Sequence, residues 1–346
     1  GLKVVPTGIE HGTVTVIVKG APFEVTTLRE DVETDGRYAV VRYGRDFAAD
    51  AHRRDFTINA LSVKADGEIC DYTGGLADIA ARRVRFIGSA RQRIREDYLR
   101  ILRFFRFFAE YAEGPIDAEG LHAAISERGG LERLSRERIR AEFLRLMGAR
   151  RVQETAALLA HSGLLDRLTG GIGDLGRLSR AIANGSADPV LRLAAFDVMS
   201  TNDAERLTER LRLSNAEAER LDAYARALAA MRSREPSLDA VSMRRLAAEF
   251  GVTALSDAAA ALLGEPRPTF TPDALATLAD YRSGNLPAPT MPLAGRDLIA
   301  AGFTKGPAIG AALVRARAAW MEGGCVEGEG ERGRLLGVVM GNASSG

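Results

Sequence analysis

Arg53-Arg54-Asp55-Phe56-Thr57-Ile58-Asn59-Ala60-Leu61, followed later by Glu96-Asp97-Tyr98-Leu99-Arg100-Ile101-Leu102-Arg103, marks where this chain changes character. The first stretch is a charged triplet opening an apolar run; the second is a charged amphipathic helix. Upstream of them the pattern is extended. Gly12–Val18 is β-branched, Lys19-Gly20-Ala21-Pro22 carries turn chemistry, and Phe23–Leu28 resumes, which predicts a hairpin. Alternation puts Glu24, Thr26 and Leu28 on one face. Asp31–Asp50 is polar and contains Asp35-Gly36-Arg37, so a mobile loop is expected there. Thr57–Lys64 reads as strand or buried helix, and Asp66-Gly67 as a turn. From about Arg91 onward, apolar residues recur every three or four positions, as in 121–125, 135–147, 152–165 and 190–199. Polar breaks fall at 184–189 and 264–272. Residues 323–346 hold eight glycines and little periodicity, so fraying is expected. The class is α+β, with strands first and helices after.

With 346 residues the chain exceeds the usual single domain, and its 46% hydrophobic and 27% charged content suits a packed core. No apolar run approaches the roughly 20 residues that cross a bilayer, and Gly1–Pro6 does not read as a leader. Cys70 and Cys325 lie far apart and suggest neither disulfide nor zinc site, which points to a cytoplasmic setting. The net charge of +1 conceals a local excess: between Arg82 and Arg106 nine arginines face two acids, Glu96 and Asp97. Such a run is either a solvated helix face or a phosphate-binding surface, and arginine's planar fork suits the latter.

Individual residues carry similar pairs of readings. Arg54 and Asp55 can contact a triphosphate and a ribose hydroxyl, or form a surface ion pair. Asp97, Arg100, Arg103 and Arg106 recur every third residue on the expected helix. An acceptor beside a donor there can read adenine or cytosine, which both show an amino group next to an unprotonated ring nitrogen. Guanine and uracil present the reverse pattern. The plainer reading is an intrahelical Asp97–Arg100 ion pair worth about 0.2–0.5 kcal/mol. Phe104, Phe105, Phe107 and Phe108 read as core, and the four histidines have no ligand spacing.

In order and spacing, the two opening stretches closely resemble the tRNA nucleotidyltransferase and bacterial poly(A) polymerase family, which includes the CCA-adding enzymes. The resemblance is close over about 7–145 and loose beyond. It implies a head domain over 1–80 built on a mixed β-sheet with helices, a nucleotide-reading helical neck over 81–147, a tRNA-binding helical body and tail over 148–325, and a flexible tail over 326–346. It assigns nucleotide binding to Arg54, Asp55, Asp97, Arg100, Arg103 and Arg106, with Asn59, Glu96, Glu137 and Arg138 in support. Asp71–Asp78 corresponds to the glycine-containing head–neck link, and Glu137, Arg138, Ile139 and Glu142 to a motif bracing the reading helix. The implied reaction is template-independent addition of CMP and AMP, from CTP and ATP, to the acceptor arm of tRNA.

The same resemblance implies two Mg²⁺ ions held by three carboxylates, of which Glu24 matches the third, catalytic one. The Gly-Gly-x-x-Arg-Asp and Asp-x-Asp segments that supply the others should precede Gly8 and do not appear in the sequence. The expectation is therefore a head lacking its first strands, inactive in polymerisation as it stands. Thr34–Ala39 resembles the flexible loop of full CCA-adding members. Alternatives are a poly(A) polymerase, a relative adding only CC or only A, and a non-catalytic RNA-binding protein of the same fold.

Overall fold

Lys19 and Gly20 both adopt positive φ, 50° and 85°, the conformation a two-residue hairpin turn requires. They join β2 (Thr13–Val18) to β3 (Ala21–Thr26), and β1 (Lys3–Gly8) completes an antiparallel sheet ordered β1-β2-β3. The expected hairpin is therefore present, with Glu24 opposite Thr15. The computed structural model describes residues 2–8, 12–35, 38–233 and 237–341, and the backbone alone for 29–43. His11, Gly36, Arg37 and residues 342–346 lie outside the described residues.

The segment expected as a mobile loop is instead a second hairpin, β4 (Arg29–Asp35) paired with β5 (Tyr38–Tyr43). Tyr38-Ala39-Val40-Val41-Arg42-Tyr43 is rich in strand formers, and pairing satisfies the backbone of its polar partner. Asp46 then caps α1 (Phe47–His52), accepting from the Ala48 and Ala49 amides. Thr57–Asn59 forms one 3-10 turn, and β6 (Ser62–Val63) pairs with β7 (Ile69–Cys70) around the Asp66-Gly67 turn. Strand pairs in this part of the chain are antiparallel throughout the described residues.

Helices follow: α2 (Gly75–Ala80), α3 (Ala90–Glu96), α4 (Leu99–Tyr111), α5 (Ala118–Ser126), α6 (Arg136–Gly148), α7 (Val152–His161) and α8 (Leu164–Thr169). Asp71 organises the entry to α2 by accepting from the amides of Thr73, Gly74, Gly75 and Leu76. Gly75 approaches Thr57 so closely that a Cβ would lie 2.3 Å from its carbonyl oxygen. Phe56 is fully buried and stacks its ring on Phe86 and Phe107, at 4.9 and 5.1 Å between centroids. That cluster ties the Arg53–Leu61 stretch to α4. As expected, Phe104, Phe105, Phe107 and Phe108 are core, each contributing on the order of 1.5–3 kcal/mol by burial.

The chain divides into two compact units, Gly1–Gly170 and Gly171–Gly346. The second contains ten helices between Leu175 and Gly341 among the described residues. Its strands are a two-residue parallel pair, Ser237–Leu238 with Thr269–Phe270, too short to form a sheet layer, so the α+β class with a helical second part stands. The fraying expected over 323–346 is corrected in part. Glu329–Gly341 is a helix whose Leu335 and Val339 are buried with Trp320 and Leu298. Gly330, Gly333, Gly337 and Gly341 all fall on its exposed side, so residues that read as breakers occupy a solvent stripe at helical spacing. Among the described residues, no helix is long and apolar enough to cross a membrane.

Candidate active site

Between α3 and α4 the helix breaks at Asp97 and Tyr98. Asp97 is extended (φ −153°, ψ 107°), so the expected Asp97–Arg106 stripe is interrupted at its first member. Its Oδ1 accepts from the Leu99 amide at 3.1 Å, opening α4, and its Oδ2 accepts from Arg138 Nη2 at 2.7 Å. Arg100, one turn on, donates to Glu96 Oε2 at 2.6 Å and to the Arg93 and Arg53 carbonyls. The intrahelical Asp97–Arg100 ion pair of the plainer reading does not form. Each residue is instead held by a third, Arg138 or Glu96.

The Arg53–Leu61 stretch meets α4 through Asp55, whose buried carboxylate accepts from Arg103 Nε at 2.6 Å and from Asn59 Nδ2 at 3.2 Å. Arg103 is 28% exposed and spends only Nε on a protein hydrogen bond among the described residues. Its guanidinium also lies 5.4 Å from the Phe107 ring centroid. Arg54 donates to Asp50 and to the Asn59 carbonyl. Arg106 departs from expectation. It is 8% exposed, donates to Glu142 and Glu110, and lies over the Phe107 ring at 4.4 Å, so it braces α4 against α6 rather than offering a free phosphate donor. Glu142 and Arg138, both on α6, thus brace α4 and Asp97, while Glu137 stays exposed in the first turn.

Two residues the sequence left unmarked organise these contacts. Asp50 is buried and takes both Arg53 and Arg54, at 2.6 and 3.0 Å. Asp78, fully buried, accepts from Thr57 Oγ1 at 2.6 Å and pairs with Arg83 and Arg85. Burial pushes its carboxyl up, but those three donors outweigh burial and leave it below the usual carboxylate value. A signal existed for Asp50, which stands three and four residues ahead of Arg53 and Arg54, a spacing that one helical turn brings together. None existed for Asp78, whose partners are fixed by the turn between α2 and Val84.

The family model described as the poly A polymerase head domain matches residues 2–85, and the one described as a probable RNA and SrmB-binding site of polymerase A matches residues 116–172. The chain is 38% identical over 216 residues to the mitochondrial CCA tRNA nucleotidyltransferase 1 of Mus musculus, covering 61% of this chain and 50% of the mouse protein. It is 41% identical over 173 residues to a CCA-adding enzyme of Leuconostoc citreum, 49% of this chain and 42% of that one. A crystal structure of the Bacillus stearothermophilus CCA-adding enzyme in complex with CTP superposes with a TM-score of 0.72 at 26% identity, covering 99% of this chain and 84% of that one. The chain thus resembles CCA-adding nucleotidyltransferases in sequence over its first part and in fold throughout the superposed structure. It spans about half the length of the curated relatives it matches.

Glu24 stands on β3, a strand exposed along its whole length, and no group of three or more His, Cys, Asp or Glu among the described residues is arranged to hold a metal ion. The donors among the described residues do not fit a two-metal centre. The Asp55–Arg103 and Asp97–Arg138 contacts, by contrast, join the head-domain stretch, α4 and α6 around one region of the first unit.

Proposed function

We propose that the protein selects CTP and ATP at the start of α4 and serves the addition of CMP and AMP to tRNA 3′ ends. The observation that carries this reading is that Asp97 and Arg100 are held by Arg138 and Glu96 instead of by each other. Two groups fixed by outside partners are pre-organised to meet a third, and reorganise little when it arrives. An Asp97 oxygen has lone pairs left to accept from the amino group of cytosine or adenine, and Arg100 can donate to the neighbouring ring nitrogen. Guanine and uracil would set carbonyl against carboxylate and N–H against guanidinium. Arg103, with its terminal nitrogens free of protein acceptors, and Arg54 are assigned to the phosphates, and Asp55 and Asn59 hold them in place.

Similarity to proteins named as CCA tRNA nucleotidyltransferases, and to a structure holding CTP, supports the choice of substrates. The head, neck, body and tail divisions at 80/81, 147/148 and 325/326 belong to the same proposal, as does a cytoplasmic setting, which suits two free thiols, Cys70 and Cys325. The Mg²⁺ that the family implies would have Glu24 as its one assigned ligand in this chain, too few to define a site.

Equilibrium dialysis of the chain with labelled CTP, ATP, GTP and UTP tests the reading. CTP and ATP should bind about tenfold or more tightly than the other two. Retention of ATP alone would favour a poly(A) polymerase; equal binding of all four would overturn the assignment of Asp97 and Arg100.

A further inference from the structure

Past Phe107, the α4 face that begins at Arg103 continues to Tyr111, and a cavity of about 500 Å³ opens beside it. Its apolar lining is Ile58, Ile79, Phe107 and Tyr111, its cationic lining Arg82 and Arg83, and Asn59 and Asp78 complete it. Of these, only Asn59 is shared with the nucleotide-reading group, and Asp97 and Arg100 do not line the cavity. Tyr111 is 53% exposed, and its ring meets that of Phe107 at 5.4 Å and 54°, so one aromatic is anchored and the other offers a face to solvent. Ile79 is likewise exposed although large and apolar. Arg82 holds a left-handed backbone, φ 48°, a conformation that costs a non-glycine residue free energy and that collects at binding sites.

We propose that this cavity is a second nucleotide subsite, taking one unpaired nucleotide of the RNA substrate, with its base against Tyr111 and its phosphate on Arg82. The inference rests on the RNA-processing reading above and goes beyond it by placing an RNA contact away from Asp97 and Arg100. An apolar wall with an exposed aromatic suits any base, since every base has a flat face. The volume lies in the range of small-ligand sites. Charge agrees. Asp78 neutralises Arg83 from within, and Arg82 is paired only with Glu113, at 3.3 Å, where both side chains are exposed. An exposed pair of that kind is worth about 0–1 kcal/mol, so a phosphate can displace the glutamate.

The test uses the intact chain and a hairpin RNA with an unpaired 3′ end of about four nucleotides, compared with its blunt-ended form. Tyr111→Ala should weaken binding of the tailed RNA roughly fivefold to a hundredfold and leave CTP and ATP binding unchanged. Tyr111→Phe should restore it. Arg82→Ala should lower the slope of log affinity against log salt by about 0.7. Glu113→Gln, which frees Arg82, should tighten binding. Tailed and blunt RNA binding equally, or Tyr111→Ala binding tailed RNA like the parent, would overturn the subsite alone. A parent chain that binds no RNA would overturn the subsite and the RNA-processing reading together.

Discussion

Both units of this protein contain arginine–carboxylate pairs, yet Arg177 in the second does different work from Arg103 and Arg54 in the first. In the second unit, Arg177 is 1% exposed, donating to Asp174 and to the Val198 carbonyl. In the first unit, Arg103 and Arg54 pair with buried Asp55 and Asp50, but their guanidinium ends stay partly exposed. A carboxylate buried beneath an exposed arginine aims the cation outward; a buried arginine serves its own scaffold. Exposure of the guanidinium, rather than the presence of an ion pair, distinguishes the two.

The largest effect should fall on the scaffold side. Arg177→Ala leaves the buried Val198 carbonyl without its donor and should cost about 1–3 kcal/mol in urea unfolding, with unchanged CTP affinity in the folded protein. A weakened CTP affinity would break the separation drawn between the two units. On the site side, Asp97→Ala should lower the preference for CTP and ATP over GTP and UTP by roughly tenfold to a hundredfold. Its 34% exposed ion pair adds little, so the loss of stability should stay near the roughly 0.5–2 kcal/mol of the hydrogen bond to the Leu99 amide. A variant that unfolds readily while keeping its selectivity would place Asp97 with the scaffold.

Gly130→Ala sharpens the comparison by disturbing the site from beneath. A Cβ there would lie 1.9 Å from the Tyr98 ring, which must move, and Tyr98 adjoins Asp97. We expect a loss of about 1–3 kcal/mol from overpacking together with reduced CTP selectivity. A melting shift without a change in selectivity would show that Asp97 is positioned by Arg138 alone.

The smallest effects concern pH, and they should have opposite signs. Asp78 titrates below the ordinary 3.8, because Thr57, Arg85 and Arg83 together outweigh its burial. Its stabilising contribution is present above that value and is lost as pH falls through the depressed one. Asp257 titrates above 3.8, chiefly because burial disfavours its charge, with Asp188 adding to the effect against Arg220. Its contribution is present below 3.8 and is lost as pH rises through the raised value. Urea midpoints measured across about pH 3 to 6 should show Asp78→Asn flattening the acid-side loss and Asp257→Asn flattening the loss on raising pH. The same sign for both variants would contradict this assignment.

The run of nine arginines shows how far the sequence could be read. Counted along the chain, they face two acids. In the fold, they pair with seven carboxylates, of which Glu96 alone lies inside the run: Glu113 binds Arg82, Asp78 binds Arg83 and Arg85, Glu127 binds Arg91 and Arg95, Glu96 binds Arg93 and Arg100, Asp55 binds Arg103, and Glu110 and Glu142 bind Arg106. The apparent phosphate-binding surface is mostly internal wiring, and the donors left for a ligand are few and identifiable.

The sequence by itself determined what depends on neighbours in the chain. The β2–β3 hairpin follows from Lys19-Gly20 between alternating strands, the aromatic core from helical spacing at Phe104–Phe108, and the family resemblance from two short stretches in a set order. Tertiary structure decided what depends on residues distant in the chain. Asp97 left the helix because its carboxylate caps Leu99 and meets Arg138 from 41 positions away. Arg106 became a brace because Glu142 lies 36 positions on, and the glycine-rich end became helical because Leu335 and Val339 reach a core around Trp320. Local patterns report propensity and periodicity, which act over a few residues. Which charge a carboxylate neutralises, and which glycines face water, are settled only when burial brings separate segments together.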